Sequence, residues 1–333
     1  MNLPTPLKGI LLGATCTLIS NASFAEADPF TLGFSGGISL NVGVGESQSQ
    51  SSTHDDNAIT DDLHNSGKTV ESASPFILGR LQYSFGNTLI FLGNSEDQIA
   101  EAQFQAEVGV AHRLNKQLTL TAALFGNLPG MDEVWQDPYL TNQKRETTEQ
   151  SVAGIRFALD INSALPITLK YAVASSEVEK DQIGTSQSLT ADENSLLDRE
   201  SNYQRFGTEM AIPFSPSFVL APALYYTTRD AKGDANSFDE ISAQLSIVLD
   251  RSQHNLVTTL RGSKAEFDSE NPVFNLKRDY DSLSVFSIYS YSAPFNWRNI
   301  QLHVMAGYQS QDSNINFYDS DNTFVSTGFS YRF

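Results

Sequence analysis

The stretch that decides the fold is DEISAQLSIVL, at residues 239–249. Its apolar side chains stand at odd positions from Ile241 to Leu249, and its polar side chains stand at even positions from Glu240 to Ser246. Side chains of a β-strand point alternately to its two faces, so this period of two predicts a strand with one apolar and one polar face. The spacing of an α-helix does not fit the stretch.

The same alternation recurs along the whole chain, for example in FQAEVGV at 104–110 and NIQLHVMAGY at 299–308. It predicts about fourteen strands, with 12 or 16 as alternatives. The predicted ranges are 30–46, 74–85, 87–94, 99–113, 116–127, 149–161, 166–178, 201–213, 217–229, 237–250, 255–267, 278–293, 299–312 and 321–333.

The connections between these strands alternate in length. Short turns such as NSALP follow the even-numbered strands, and long or polar loops follow the odd-numbered ones, most clearly at 47–73, 128–148, 179–200 and 268–277. This pattern is typical of bacterial outer-membrane barrels. We therefore predict an all-β fold, a closed antiparallel up-and-down transmembrane β-barrel with short periplasmic turns and long extracellular loops. A soluble β-sandwich also alternates, but it would not need such regular differences in loop length.

The composition agrees with this prediction. The chain has 333 residues and a net charge of −18, and after its N-terminus it has no uncharged apolar run long enough for a membrane-spanning helix. Its mean hydropathy of −0.26 is compatible with a membrane barrel, because the hydropathies of the alternating apolar and polar residues in each strand offset one another. We expect no nucleic-acid partner for this acidic chain.

Residues 1–25 are predicted to be a cleaved signal peptide. Lys8 precedes the apolar stretch GILLGATCTLI, and the small residues Ser23 and Ala25 suit a cleavage site after Ala25. Cleavage leaves residues 26–333 as a single exported barrel domain. The only cysteine, Cys16, would be removed, so the mature chain would have no disulfide.

The chain ends in GFSYRF, at 328–333. Its residues Gly328, Phe329, Tyr331 and Phe333 resemble the C-terminal signal of Gram-negative outer-membrane proteins. That resemblance implies the outer membrane as location and recognition by the barrel-assembly machinery. The segment PFILGRLQYSFGNTLIFLGNSEDQ, at 75–98, resembles an uncharacterised outer-membrane family of marine bacteria, a domain of unknown function. This second resemblance implies location and fold, and it carries no known activity or site residues.

The residues opposite the apolar faces should line the interior. A barrel of fourteen strands would have a backbone diameter of about 28 Å and a lumen of roughly 10–15 Å. The charged residues predicted to line it are Arg80, Glu107, Arg113, Arg156, Lys170, Arg205, Glu209, Glu240, Arg261 and Arg332. Two interpretations stay open: a basic wall that favours anions or sugar acids, or Arg–Glu pairs that stiffen the wall and keep it hydrated.

Three functions follow from this layout. The first is a passive porin-like channel for small hydrophilic solutes. The second is a non-conducting structural or surface-interaction barrel that works through its acidic extracellular loops, beside membrane lipid and lipopolysaccharide. The third, an outer-membrane hydrolase, is the least favoured, because only His54 and His64 of the five histidines are extracellular, in a loop that reads as disordered. We expect no enzyme activity, no cofactor, no metal site and a monomer.

Overall fold

The computed structural model describes residues 28–95, 105–128, 130 and 132–333. The predicted signal peptide at 1–25 and the first residues of the predicted strand at 99–113 lie outside the described residues. Within the described ranges, no helix has the length and apolar character that crossing a membrane requires.

Fourteen strands of the described chain form one antiparallel sheet. They are β1 (Gly33–Gln48), β2 (Thr69–Ser84), β3 (Thr88–Asn94), β4 (Gln105–Arg113), β5 (Leu118–Asn127), β6 (Thr147–Ile161), β7 (Ile167–Val178), β8 (Ser201–Met210, continued by Ile212–Ser215), β9 (Phe218–Ala231), β10 (Phe238–Arg251), β11 (His254–Phe267), β12 (Tyr280–Ser292), β13 (Ile300–Ser313) and β14 (Ser320–Arg332). Both segments of β8 pair with β9, so they form one strand of the wall.

Each strand pairs with the next one in the chain, and β14 pairs back with β1. The sheet is therefore closed and leaves no edge, as a barrel in lipid requires. The prediction of a closed fourteen-stranded barrel is confirmed. The short turns lie at one end and the long loops at the other, as the alternation of connection lengths predicted.

Little else in the described chain is regular. A three-residue strand, Glu133–Trp135, pairs with the outer end of β6. The helix α1 spans Ala191–Ser195, and single 3-10 turns lie at Asp55–Asn57, Asp234–Asn236, Pro294–Asn296 and Asn316–Tyr318.

The two faces of the wall follow the alternation of the sequence. In β10, Ile241 is 65% exposed on the outside, whereas Ser242 and Ser246 are buried inside. The same outward set includes large apolar side chains of most strands, among them Ile77, Leu92 and Leu224. Exposed apolar side chains all around a closed barrel form the surface that lipid covers.

The end of the chain completes the ring. The backbone of Phe333 exchanges hydrogen bonds with Gly36, of 3.1 Å and 3.0 Å, and its ring stacks on Phe34 with centroids 5.4 Å apart. Phe329, Tyr331 and Phe333 are all exposed on the outer face. The terminal phenylalanine is thus a paired residue of the barrel seam.

Gly328 lies in the same seam, where β1 and β14 approach each other closely. A Cβ atom at this position would be 2.3 Å from the carbonyl oxygen of Leu40 and 2.5 Å from Oδ1 of Asn41. Only glycine leaves room for β1 and His303 to approach the last strand this closely. The glycine of the C-terminal pattern therefore has a packing role in this barrel.

One boundary differs clearly from the prediction. β2 begins at Thr69, whereas the alternation predicted a start near 74, because Thr69 to Ala73 carry few apolar side chains. These residues still pair with β1, from Gln48 opposite Thr69 to Val44 opposite Ala73. The extra pairs extend the β1–β2 hairpin at the end that carries the long loops.

Candidate functional site

The inward faces of the strands enclose a polar interior, and one of its charged groups is centred on Glu107. Glu107 of β4 is buried and accepts hydrogen bonds from Nε and Nη2 of Arg156, at 2.7 and 2.8 Å. Arg80 of β2 approaches the same carboxylate at 3.5 Å. The guanidinium of Arg80 lies 3.9 Å from the centre of the Phe91 ring. One carboxylate thus links two cations across β2, β4 and β6.

A second charged group lies on β7, β8 and β9. Nζ of Lys170 is 2.7 Å from the carboxylate of Glu209, which also accepts a hydrogen bond of 2.5 Å from the hydroxyl of Tyr225. Arg205 donates from Nε to Oγ1 of Thr227 at 2.9 Å. These inward side chains contact one another across neighbouring strands.

The third group joins β10, β11 and β12. Arg261 lies 3.4 Å from the carboxylate of Glu240 and donates to the hydroxyl of Ser242 at 2.9 Å. The hydroxyl of Tyr280 donates to the second oxygen of Glu240 at 2.9 Å. The second and third groups adjoin, since the guanidinium of Arg261 lies 5.5 Å from the centre of the Tyr225 ring. Each of the three groups combines an acid with at least one cation.

The two remaining predicted residues, Arg113 and Arg332, end their strands at the periplasmic side. Arg113 pairs with the carboxylate of Asp28, at 2.5 and 3.0 Å, and lies over the ring of Phe30 at 4.2 Å. Arg332 donates to Oε1 of Gln301 at 3.2 Å. Arg113 therefore holds the N-terminal segment of the described chain at the periplasmic mouth, a contact that the sequence reasoning missed.

The interior also contains aromatic side chains that the sequence reasoning did not place there. Phe125 and Tyr203 belong to one buried cluster, and Phe286 packs parallel to Phe324 at 6.0 Å in another. Arg229, also missed, is buried and lies 5.4 Å from the ring of Tyr203. All of these residues have the inward parity of their strands, so the alternation could have found them.

The extracellular loops meet over the end of the barrel. Their apolar side chains form one cluster to which six of the long connections contribute, and we call it the cap. The cap consists of Leu63, Tyr139, Ile183, Leu189, Leu196, Leu197, Ala235, Val273, Phe274, Ile315, Phe317 and Tyr318. Because these loops start from strands all around the ring, their common cluster lies across the barrel axis.

Hydrogen bonds in the middle of the cap fix its geometry. The hydroxyls of Tyr139 and Tyr318 are 2.5 Å apart, and Nδ2 of Asn271 donates to both, at 2.9 and 3.0 Å. Burial raises the pKa of Tyr139 well above its ordinary value, so this hydroxyl keeps its proton. The cap is thus an apolar layer with a satisfied polar centre.

The loop at 47–73, which the sequence reasoning took to be disordered, is folded. Nδ2 of Asn57 donates to the carbonyls of Ser49 and Ser52, at 2.8 and 2.9 Å. Indole Nε1 of Trp135, from the loop between β5 and β6, donates to the carbonyl of Gln50 at 3.0 Å. This polar loop has few apolar residues of its own. Its internal amide hydrogen bonds and its contacts with a second loop hold it in a folded conformation.

The histidines do not form a catalytic arrangement with one another. His303 lies inside the wall, with Nε2 at 2.5 Å from Oδ1 of Asn41 and 3.2 Å from Oγ of Ser39. His112 and His254 contact Thr88 and Tyr289 near the periplasmic end, and His54 accepts from the backbone of Asp56. In the described part of the chain, no three His, Cys, Asp or Glu side chains converge as metal ligands would.

Solved outer-membrane proteins have a similar fold. The CymD monoaromatic hydrocarbon channel is 11% identical, with 97% of this chain and 94% of that chain covered and a TM-score of 0.47. A FadL homologue of Pseudomonas aeruginosa is 9% identical, with 90% of each chain covered and a TM-score of 0.46. OmpT of Vibrio cholerae is 7% identical, with 92% and 99% covered and a TM-score of 0.45. At these values the likeness does not extend to function.

No curated protein matches the sequence. A family model does, and it covers residues 33–332, from the first residue of β1 to the last residue of β14. The matched region is therefore the whole barrel with its cap. The chain belongs to the family described as protein of unknown function DUF2860.

Proposed function

We propose that the protein is a passive channel of the outer membrane for small hydrophilic solutes, and that it works as a monomer. The observation that carries the proposal is the interior of a closed, lipid-facing barrel, in which charges are held in groups such as Glu107 with Arg156. A wall of this kind stays hydrated, and its fixed charges act on ions that enter it. Export through residues 1–25 and insertion through the C-terminal pattern are parts of the same proposal.

The charge pairing argues for weak selectivity. Opposite charges in contact cancel most of each other's field at a distance of several ångströms. Arg80 is the best candidate for contact with a passing anion, because its side chain is 33% exposed although it lies near Glu107. The narrower proposal, a preference for anions or sugar acids, therefore depends mainly on this residue.

The cap supports the alternative of a non-conducting surface barrel. Its apolar side chains close over the extracellular end, while Asp55, Asp56, Asp61 and Asp62 remain exposed around it. In such a barrel the folded loops would present acidic groups to a partner or to cations near lipopolysaccharide. Conduction would then require the cap loops to separate.

Stepwise conductance in a planar lipid bilayer separates the two functions. We expect the purified barrel to conduct, with a reversal potential in a salt gradient that shows a mild anion preference. Arg80→Gln should reduce that preference, whereas Lys116→Gln, in an exposed periplasmic turn, should leave it unchanged. A barrel that folds but shows no conductance would overturn the channel proposal and favour the non-conducting surface barrel.

A further inference from the structure

A cavity of about 520 Å³ opens where the loop between β1 and β2 meets the loop between β5 and β6. Its lining includes Thr53, Asp55, Trp135, Lys144, Arg145 and Glu146. It lies outside the interior of the wall, on the extracellular side, and does not belong to the channel proposed above.

At the inner end of this cavity lies an unusual cation. Arg145 is 1% exposed and donates only to neutral acceptors: from Nη1 to Oε1 of Gln50 and the carbonyl of Pro138, both at 3.0 Å, and from Nη2 to the carbonyl of Asn57. Its Nε atom is buried and has no hydrogen-bond partner among the described residues. A buried cation is costly without a negative group beside it.

One acid, Asp137, compensates this charge only in part. Asp137 is close enough to attract Arg145, but its carboxylate oxygens accept from the backbone N–H groups of Tyr139, Gly184 and Ser186, at 2.8 to 3.1 Å. Burial lowers the pKa of Arg145 to about 10, so the guanidinium is still charged at neutral pH. The charge is therefore present and incompletely compensated.

The rim of the cavity limits what can enter. Lys144 adds a second cation, 71% exposed, and stands 4.0 Å from the carboxylate of Asp55. Glu146 is exposed on the same rim. A ligand that balances Arg145 must bring a compact negative group past these two acids, and carboxylate and phosphate suit the planar donor array of a guanidinium.

We propose that this cavity binds a small oxyanion, whose carboxylate or phosphate group pairs with Lys144 at the rim and is attracted by the charge of Arg145 beneath it. The anion is either a free solute or the phosphate group of a surrounding lipid. The site lies on the extracellular side of the barrel and does not depend on whether the barrel conducts.

The indole of Trp135 reports on this site. The Arg145 guanidinium lies 4.5 Å from the centre of its ring, and the chain has two tryptophans. The other, Trp297, is exposed near the periplasmic 3-10 turn at Pro294–Asn296, so Trp297→Phe removes its signal without touching the cavity. In the Trp297→Phe variant, the detergent-solubilised barrel is titrated with inorganic phosphate at constant ionic strength. The fluorescence of Trp135 should change and then level off as the site saturates.

Two variants test the residues. Lys144→Met should weaken phosphate binding by about threefold or more, because an exposed cation contributes a modest part of the binding free energy. The matched control Lys116→Met, also exposed but at the periplasmic end, should bind like the parent. Asp55→Asn should bind phosphate more tightly, since it removes repulsion and releases Lys144.

A second titration separates the two sources of the anion. Saturation by inorganic phosphate supports a free solute, and saturation only by lipid A in mixed micelles supports a lipid phosphate at the same site. Each result upholds the proposal if Lys144→Met weakens it and Lys116→Met does not. No saturable response to either probe, or equal weakening by both lysine variants, would overturn it.

Discussion

Replacing Glu107 by glutamine tests whether the interior charges act as tightly paired groups. The side chain of Glu107 has no exposed surface, and it holds Arg156 through two hydrogen bonds of 2.7 and 2.8 Å. Glutamine keeps the volume and one acceptor but removes the charge. Breaking a buried ion pair from one side costs about 3–5 kcal/mol, and the remaining amide oxygen places our expectation near 3 kcal/mol.

The measurement is the free energy of unfolding by urea, with the barrel refolded in lipid vesicles. Glu266→Gln is the matched control, because its partner Lys264 and Glu266 itself are both exposed at the outer end of β11, and it should cost less than about 1 kcal/mol. The double variant Glu107→Gln/Arg156→Gln should regain part of the loss, since both charges are gone. If Glu107→Gln unfolds like Glu266→Gln, the pair is screened by water and our view of it as a buried, tightly held ion pair is wrong.

Three further predictions concern the seam, the periplasmic mouth and the cap. Gly328→Ala should slow barrel closure, because its Cβ would collide with the Leu40 carbonyl, and a smaller fraction of the protein should run at the folded position on unheated gels. Gly262→Ala should fold normally, because the nearest atom to its Cβ is 3.8 Å away. The hydrogen bond from Arg113 lowers the pKa of Asp28, so the contact stabilises the N-terminal segment fully above the ordinary Asp pKa of about 3.9 and is lost as the pH falls through the lowered pKa. Proteolysis of that segment should therefore rise only below the ordinary Asp pKa. Asp28→Asn should remove this pH dependence. Phe317→Ala should loosen the cap by about 3 kcal/mol and lengthen open times in bilayers, whereas Ile59→Ala, at an exposed loop position, should do neither.

The wall could be predicted from the sequence because its determinants are local. A period of two sets the face of every residue from 239 to 249 without knowledge of any partner strand. The same rule gave the inward parity of Glu107 and Arg156, which pair in the interior. The prediction named only charged residues for the interior, so it left out Phe286 and Phe324, although both have inward parity.

The cap and the anion cavity could not be predicted in this way. Arg145 contacts Gln50 across 95 positions of sequence, and Tyr139 contacts Tyr318 across 179. Such contacts depend on the ring first bringing the loops together, and no periodic pattern marks them. The sequence of the loop at 47–73 predicts disorder for this reason: part of its order comes from residues of another loop, such as Trp135 and Arg145.

The division between wall and cap also determines how the two proposed functions can be distinguished. A closed ladder of backbone hydrogen bonds gives the wall no edge that could open, so any change in conduction must come from the loops or from side chains inside. Weakening the cap therefore separates the cases. If Phe317→Ala conducts more than the parent, the interior beneath the cap is a usable path and the cap limits access to it. If the variant has a loosened cap and still shows no conductance, the paired charges and aromatic clusters themselves block the interior. The protein would then function through its folded extracellular loops.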